Sequence, residues 1–423
     1  MKPAKPSPPK IPAATADKLP RSGTYTLLDS GTAAARLGVS KATLYAYVSR
    51  GLLSATPDAK DPRIRRYSSF EIELLLRRSA RKGEQQKSMA ALSDGLPVLD
   101  TALSSVREGQ PIYRGQLALQ VAEQASAEDV ARLLWQFDAG LDPFASPAPS
   151  LGEPWHALCK TLPAEQSGRT LALFATALLD LHGPAWLPDG PALAHACAAH
   201  LRALLASFLA RAPSDLPMHQ QFRQAWNLPA TADTALRRAL VLVADHEMNM
   251  VSFSARCLTS VDASLGAALL AAMCNIGATF NGGACAQVEA LWDELAGAPN
   301  LEAALMRRLD RGEGLPGFNH LSYPAGDPRA RMLLAECASI EAAQRGLSEA
   351  GLAQQIVPAV ERLTGWKPSI DFALVSLRRA LGAPSDAALC LQMAGRSIGV
   401  LGHILEQRRS GQRLWVTARY VGP

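Results

Sequence analysis

Four short polar segments interrupt the apolar C-terminal three quarters of this chain, and each carries a side chain able to move a proton or hold an anion. The first is Ala244-Asp245-His246-Glu247-Met248-Asn249. Its His-Glu pair has the spacing of half a helical zinc motif, but position 250 is Met rather than the second His, so no metal site is expected. The second is Gly277-Ala278-Thr279-Phe280-Asn281-Gly282-Gly283-Ala284. The Asn281 amide offers two N–H donors, a group able to serve in an oxyanion hole. The third runs Leu315-Pro316-Gly317-Phe318-Asn319-His320, then Tyr323, then Gly326-Asp327-Pro328-Arg329-Ala330. The fourth pairs Pro368-Ser369-Ile370-Asp371-Phe372 with Gly395-Arg396-Ser397-Ile398-Gly399. Two imidazoles and a carboxylate suit general acid–base work, and two guanidiniums suit bidentate binding of carboxylates. Taken singly, His246, His320 and Asp371 fit satisfied core polar groups as well.

The elements that must position these groups are helices. Leu96 to Pro423 is rich in Ala and Leu, with few β-branched runs and Gly or Pro at intervals. Apolar periodicity predicts helices over 170–181, 191–211, 235–250 and 263–277. Leu265–Gly277 is apolar on nearly all sides, which marks a helix buried in the middle of a large helical body. The chain has 423 residues, 48% hydrophobic and 19% charged, so two or more globular domains are expected. Charged or polar residues break every apolar run before the length of a membrane span, and no signal peptide is read at the N-terminus. The seven cysteines, at 159, 197, 257, 274, 285, 337 and 390, show no close pairing. They read as buried thiols of a reducing cytoplasm.

The charge is unevenly placed. Residues 1–90 hold 17 Lys/Arg against 7 Asp/Glu, or +10, which leaves −5 for the rest of a chain of net charge +5. A basic head on a mildly acidic body suggests that only the head meets a polyanion, although the charge alone fits a solvated arm equally. Residues 1–23 form a Pro-rich basic tail expected to be disordered, 24–83 a small folded unit and 84–93 a polar linker. Ser30 is placed to cap a helix over Gly31–Leu37, Gly38-Val39-Ser40 to turn, and Ser40 to cap a second helix over Lys41–Ser49. Leu37, Val39, Leu44 and Val48 have the spacing to close a small core. A Pro- and Arg-containing loop follows, and then a third helix over Ser68–Lys82.

The head pattern AAARLGVSKATLYAYVSRGLL…RRYSSFEIELLL resembles the winged helix-turn-helix of MerR-type and excisionase-type domains. The resemblance implies that Lys41, Thr43, Tyr45 and Tyr47 face or border the major groove of duplex DNA. It sets Arg63, Arg65 and Arg66 on the wing against phosphate. In the body, Tyr113-Arg114-Gly115, the helix ending Leu133-Leu134-Trp135 and the four polar segments resemble, in order, motifs of the citrate synthase family. That family implies an all-α homodimer with a large domain (94–281 and 379–423) and a small domain (282–378) closing over substrate. It implies a Claisen-type condensation of an acyl-CoA with an oxo-acid such as oxaloacetate, with no cofactor. In the family's order, His246 hydrogen-bonds the oxo-acid, His320 polarises its ketone, Arg329 and Arg396 pair with its carboxylates, and Asp371 is the base. The loop Pro316, Gly317, Phe318 and Asn319 lies against the CoA.

The sequence departs from that family at three places. Asn281 stands where the family has the catalytic His that holds the enol oxygen, Asn319 replaces a Gly, and Trp415-Val416-Thr417 replaces the segment bearing a cross-subunit Arg. Loss of one well-placed donor is worth roughly 10²–10³ in rate. Three readings follow: a slow or altered acyltransferase, a DNA-binding regulator that senses an oxo-acid or acyl-CoA, and a degenerate structural partner.

Overall fold

The computed structural model describes residues 27–49, 53, 55–58, 61, 64–69, 72, 99–161, 168–182, 187–276, 283–343, 351–414 and 422. The tail, the linker, most of the expected third head helix, Arg63, Asn281 and Trp415 lie outside the described residues. The chain divides into two units, 1–98 with 361–365, and 99–360 with 366–423.

In the first unit, Asp29 caps the helix Ser30–Leu37, accepting from the N–H groups of Gly31 and Thr32 at 2.8 and 3.0 Å. The cap therefore lies one residue before the expected Ser30. A carboxylate there satisfies two orphan N–H groups and also suits the positive helix end. Gly38 ends the helix at φ 65°, a left-handed turn that glycine enters without strain. Ser40 Oγ accepts from Thr43 N–H at 3.1 Å and caps the helix Lys41–Ser49, as expected. Leu37 and Leu44 are buried with Tyr67 and Ile72, and Val39 and Val48 pack against them. A three-stranded antiparallel sheet completes this unit, in the order Leu27–Leu28, Arg65–Ser68, Ala55–Pro57. Thr56 pairs with Arg66, and Asp58 takes the Arg66 Nε at 2.5 Å.

The second unit is mostly helical but opens with a strand meander that apolar periodicity does not reveal. Ser104–Arg107, Gln110–Tyr113 and Gln116–Leu117 pair antiparallel. Strands of two to four residues are too short to show an alternation, and the turns rest on Glu108-Gly109 and Arg114-Gly115, all at positive φ. Tyr113 is fully buried, and its hydroxyl donates to the carbonyl of Val241 at 3.0 Å. The next helix, Ala127–Trp135, begins with a capping box between Ser126 and Asp129.

The helix expected over 235–250 is two helices, Asp233–Leu242 and Met250–Thr259, joined by a turn that carries Asp245 and His246. Glu247 takes φ 51° in that turn. Asn249 then caps the second helix, accepting from Val251 and Ser252 N–H at 3.0 and 3.2 Å. Apolar periodicity runs across the break because both helices face one core.

That core surrounds Ala387–Ser410, which packs against Ala127–Trp135, Pro191–Phe208, Asp233–Leu242, Met250–Thr259 and Leu265–Ile276. It is the one helix among the described residues long and apolar enough to cross a bilayer, against the expectation of none. Some 89% of that stretch is buried inside the protein. The helix contains Gly395 and Gly399 where the 243–245 turn lies against it. A Cβ on Gly399 would collide with the Ala244 carbonyl and the Asp245 carboxylate. Gly399 N–H instead donates to the Ala244 carbonyl at 3.0 Å. Of the cysteines, all free, Cys197, Cys285, Cys337 and Cys390 are buried as expected, whereas Cys274 is exposed.

Gly399→Ala is expected to destabilise the protein by about 1–3 kcal/mol, the usual cost of forcing atoms into a packed interior. Urea midpoints at constant slope test this. An unchanged midpoint would mean that the turn is free to move off the helix.

Candidate active site

The loop Pro316–His320 and the segment Lys367–Ser369 are fastened backbone to backbone. Ser369 N–H donates to the Gly317 carbonyl at 2.8 Å, Asn319 N–H donates to the Lys367 carbonyl at 2.9 Å, and Phe318 bridges Pro368. Gly317, at φ 82°, lets Val288 and Phe372 close over it. Asn319 takes φ 66°, a conformation Asn tolerates better than other side chains, so it serves where the family has Gly. Phe318 is buried against Phe372, with ring centroids 4.8 Å apart. This pairing fastens the loop that carries His320 to the segment that leads into the helix Ile370–Leu381, whose first turn carries Asp371.

Asp327 ties the two further. Its carboxylate holds Arg329 through Nε at 3.0 Å and Nη2 at 2.8 Å, and also accepts Ile370 N–H at 3.1 Å. Burial alone would raise this carboxyl, but the Arg329 guanidinium and its hydrogen bonds hold it below its ordinary value. Arg329 in turn lies over the Tyr323 ring, 4.9 Å from its centre.

His246, His320 and Tyr323 form a cluster of rings with centroids 5.0 to 5.5 Å apart. Burial pushes the His320 imidazole down to about 4, with the Arg329 charge acting in the same direction. Its Nδ1 accepts from Ser322 N–H at 3.2 Å, so the neutral ring carries its proton on Nε2, as a donor. His246 is held well below its ordinary value, first by burial and then by Arg329 and His320. Its Nε2 is buried without a hydrogen-bond partner, and so is the Tyr323 hydroxyl.

Arg396 joins the site through Asp245, the neighbour of His246. Asp245 is fully buried, and Arg396 Nη1 lies 3.1 Å from its Oδ1. Its Oδ2 accepts from Ser104 Oγ at 2.5 Å and from His403 Nε2 at 3.2 Å. His403 Nδ1 accepts from Arg256 Nε at 3.3 Å, which fixes the proton on Nε2. Burial works to raise the Asp245 carboxyl, yet Arg396, His403 and Ser104 outweigh it and hold the group far below the usual carboxylate range. Glu247 takes no catalytic position: it accepts Val106 N–H at 2.8 Å and pins the turn to the first strand of the meander.

The half-buried Asp371 carboxylate accepts from Gln392 Nε2 at 2.9 Å and Ser369 Oγ at 3.2 Å. Burial raises its pKa, against the pull of Arg329 and these donors. The structure thus brings together His246, His320 and Arg329, with Asp371 and Arg396 joined to them by Asp327 and Asp245. Those two carboxylates, His403 and Gln392 were missed by sequence reading. Asp245 and Asp327 adjoin residues already singled out, and Gln392 is one helical turn before Arg396. No group of three or more metal-ligating side chains occurs among the described residues.

A mostly helical body with this set of buried polar groups is a citrate-synthase-type architecture. The family model described as citrate synthase, C-terminal domain, matches residues 91–418, and the chain belongs to that family. The citrate synthase of Mycolicibacterium smegmatis is 25% identical over 354 residues, covering 78% of this chain and 94% of that protein. The citrate synthase of Haloferax volcanii is 30% identical over 185 residues, covering 44% of this chain and 49% of that one. In such shorter matches the chain spans about half the length of the curated relatives. The fold is similar to a solved citrate synthase of Thermoplasma acidophilum, in ternary complex with carboxymethyl coenzyme A and oxaloacetate. That likeness has a TM-score of 0.67 at 18% identity and covers 79% of this chain and 96% of that one.

The depressed His320 pKa fixes a pH dependence. An unfolded chain's imidazole, near 6.5, takes up a proton before the folded one does. Stability is therefore full above about pH 6.5 and falls as the pH drops towards about 4. His320→Gln should reduce the loss of unfolding free energy between pH 7 and pH 5 by about 1–2 kcal/mol. Urea titrations at both pH values measure it, and an identical loss in the variant would show that the folded ring titrates normally.

Proposed function

We propose that the body is a citrate-synthase-type acyltransferase that condenses an acyl-CoA, such as acetyl-CoA, with an oxo-acid, such as oxaloacetate, slowly or with altered chemistry. The observation that carries this reading is the His246–His320–Tyr323–Arg329 cluster, two of its members buried, in which His320 is neutral with its proton on Nε2. A neutral N–H donor of this kind polarises a ketone without giving up its proton. Asp327 occupies one edge of the Arg329 fork, and the Nη1 edge is left for a guest carboxylate. Arg396 serves the second carboxylate, and the orphaned His246 Nε2 gains a partner when substrate binds. Asp371 is the base that takes a proton from the acyl α-carbon. Its burial raises its basicity, and its donors favour the anion. Asn281 is the enol-oxygen donor in place of the family's His.

The acyl-CoA is a substrate running along Pro316–Asn319, and no cofactor is needed. The archaeal relative's complex with a CoA analogue and oxaloacetate supports this pairing of substrates. In this reading residues 94–281 with 379–423 form a large domain, and 282–378 form a small one that closes on it within a homodimer.

Oxaloacetate at millimolar concentration should raise the melting temperature of the wild type and not of Arg329→Ala. Condensation with acetyl-CoA, read as CoA release, should rise on Asn281→His, mainly in turnover, and vanish when Asp371→Ala is added. A wild type that neither shifts with oxo-acid nor releases CoA would overturn the reading.

The head supports a second role. The two capped helices joined at Gly38, with the hairpin of Ala55–Pro57 and Arg65–Ser68, fit a winged helix-turn-helix domain spanning 24–83. Lys41, Tyr45 and Arg65 are exposed to meet duplex DNA. Thr43 and Ser40 share a hydrogen bond, Tyr47 packs on the core and Arg66 is held by Asp58. The protein then acts as a regulator that couples oxo-acid or acyl-CoA binding to DNA. DNA retention should fall steeply with salt and be lost on deletion of 1–90. Retention unchanged by the deletion would refute this role.

A further inference from the structure

The basicity of Asp371 depends on how its carboxylate is held, and one of its two donors is itself held by a third group. Gln392, on the central helix Ala387–Ser410, donates from Nε2 to Asp371 Oδ1 at 2.9 Å. Its Oε1 accepts from the Cys285 thiol at 3.5 Å. Cys285 lies in the helix Gly283–Ala296 and is buried. Three helices therefore meet in a directed chain, thiol to amide oxygen, amide nitrogen to carboxylate.

The amide orientation in the structure sets the direction. A thiol has one proton to give, and an amide oxygen can only accept. With Oε1 committed to Cys285, the Gln392 NH₂ must face Asp371. An NH₂ group can only donate, so it favours the anionic carboxylate and disfavours the protonated one. The chain needs Cys285 protonated, and it stabilises the ionised form of Asp371 over the protonated one. The thiol's surroundings agree: burial, reinforced by the Asp371 charge, pushes Cys285 well above its ordinary value.

We propose that Gln392 is a positioning residue for the Asp371 base, its amide locked in one orientation by the Cys285 thiol. This rests on the reading of Asp371 as the base. Gln392 fixes the plane of the carboxylate and opposes the effect of burial, so that the group is anionic when substrate arrives. The other groups facing Asp371 are Arg329, in the first turn of the helix Pro328–Ala343, Asp327 just before that helix, and Ser369 from its own helix cap. Glu289 lies near the thiol on Gly283–Ala296, where Arg378 and Arg379 hold it.

The test uses the full-length protein labelled with γ-¹³C aspartate, with Asp371→Asn identifying the signal to follow. Gln392→Met keeps the volume and removes the donor, and should raise the Asp371 titration midpoint by about one pH unit. Gln392→Glu, which sets a carboxylate against a carboxylate, should raise it further. Cys285→Ser keeps a donor and should leave the midpoint in place, whereas Cys285→Ala should shift it part of the way. In CoA-release assays the acidic limb of the pH profile should move with the midpoint, with KM for the oxo-acid unchanged. Should Gln392→Met fail to fold, Gln392→Glu decides. A midpoint in the folded Gln392 variants equal to that of the wild type would overturn the proposal. A wild type that releases no CoA would refute the acyltransferase reading, while the carboxyl titration would still decide the role of Gln392.

Discussion

Asp245 is a carboxylate with no access to water, and the architecture of the site follows from satisfying it. An unpaired charge in such a place would cost several kcal/mol. Arg396 from the central helix, His403 one further stretch along that helix, and Ser104 from the strand meander all converge on it. Their convergence fixes the turn 243–249 against the helix and leaves His246 at the cluster's centre. The two glycines of the central helix belong to the same constraint, because only a helix surface without Cβ atoms lets the turn come close enough. Arg256 and Glu406 extend the network behind His403, so the polar chain continues into the body rather than ending at the site.

A second buried ion pair repeats the device on the other side. Asp327 holds Arg329 and, through Ile370 N–H, the start of the helix that carries Asp371. Each cation singled out for substrate is thus already neutralised by a protein carboxylate. This orients each guanidinium, the preorganisation that makes fixed dipoles effective at a reacting centre. The imidazoles are held neutral first by burial, with the Arg329 charge acting in the same direction.

Much of this was legible in the sequence, for identifiable reasons. His246, His320, Arg329, Asp371 and Arg396 stand in polar segments of an otherwise apolar sequence, and their order matches the family. The head's turn at Gly38 and the Ser40 cap followed from local chemistry. Two things were not legible. The break inside 235–250 was hidden because both helices bury faces in the same core, so the periodicity never lapses. The partners of the singled-out residues were hidden because a hydrogen bond spanning more than a hundred positions, such as Ser104 to Asp245, leaves no local pattern. Gln392 and Cys285 read as ordinary helix residues until the fold brings them to one carboxylate.

In the proposed reaction the half-buried Asp371 carboxylate removes a proton from an acyl-CoA bound beside a neutral His320. The most direct measurement is exchange of the acyl α-protons with solvent deuterium, followed by mass spectrometry of acetyl-CoA recovered from the protein with oxaloacetate present. Deuterium should enter the acetyl group faster than in buffer alone, and the gain should disappear in Asp371→Asn. Equal exchange in the wild type, in Asp371→Asn and in buffer would contradict it.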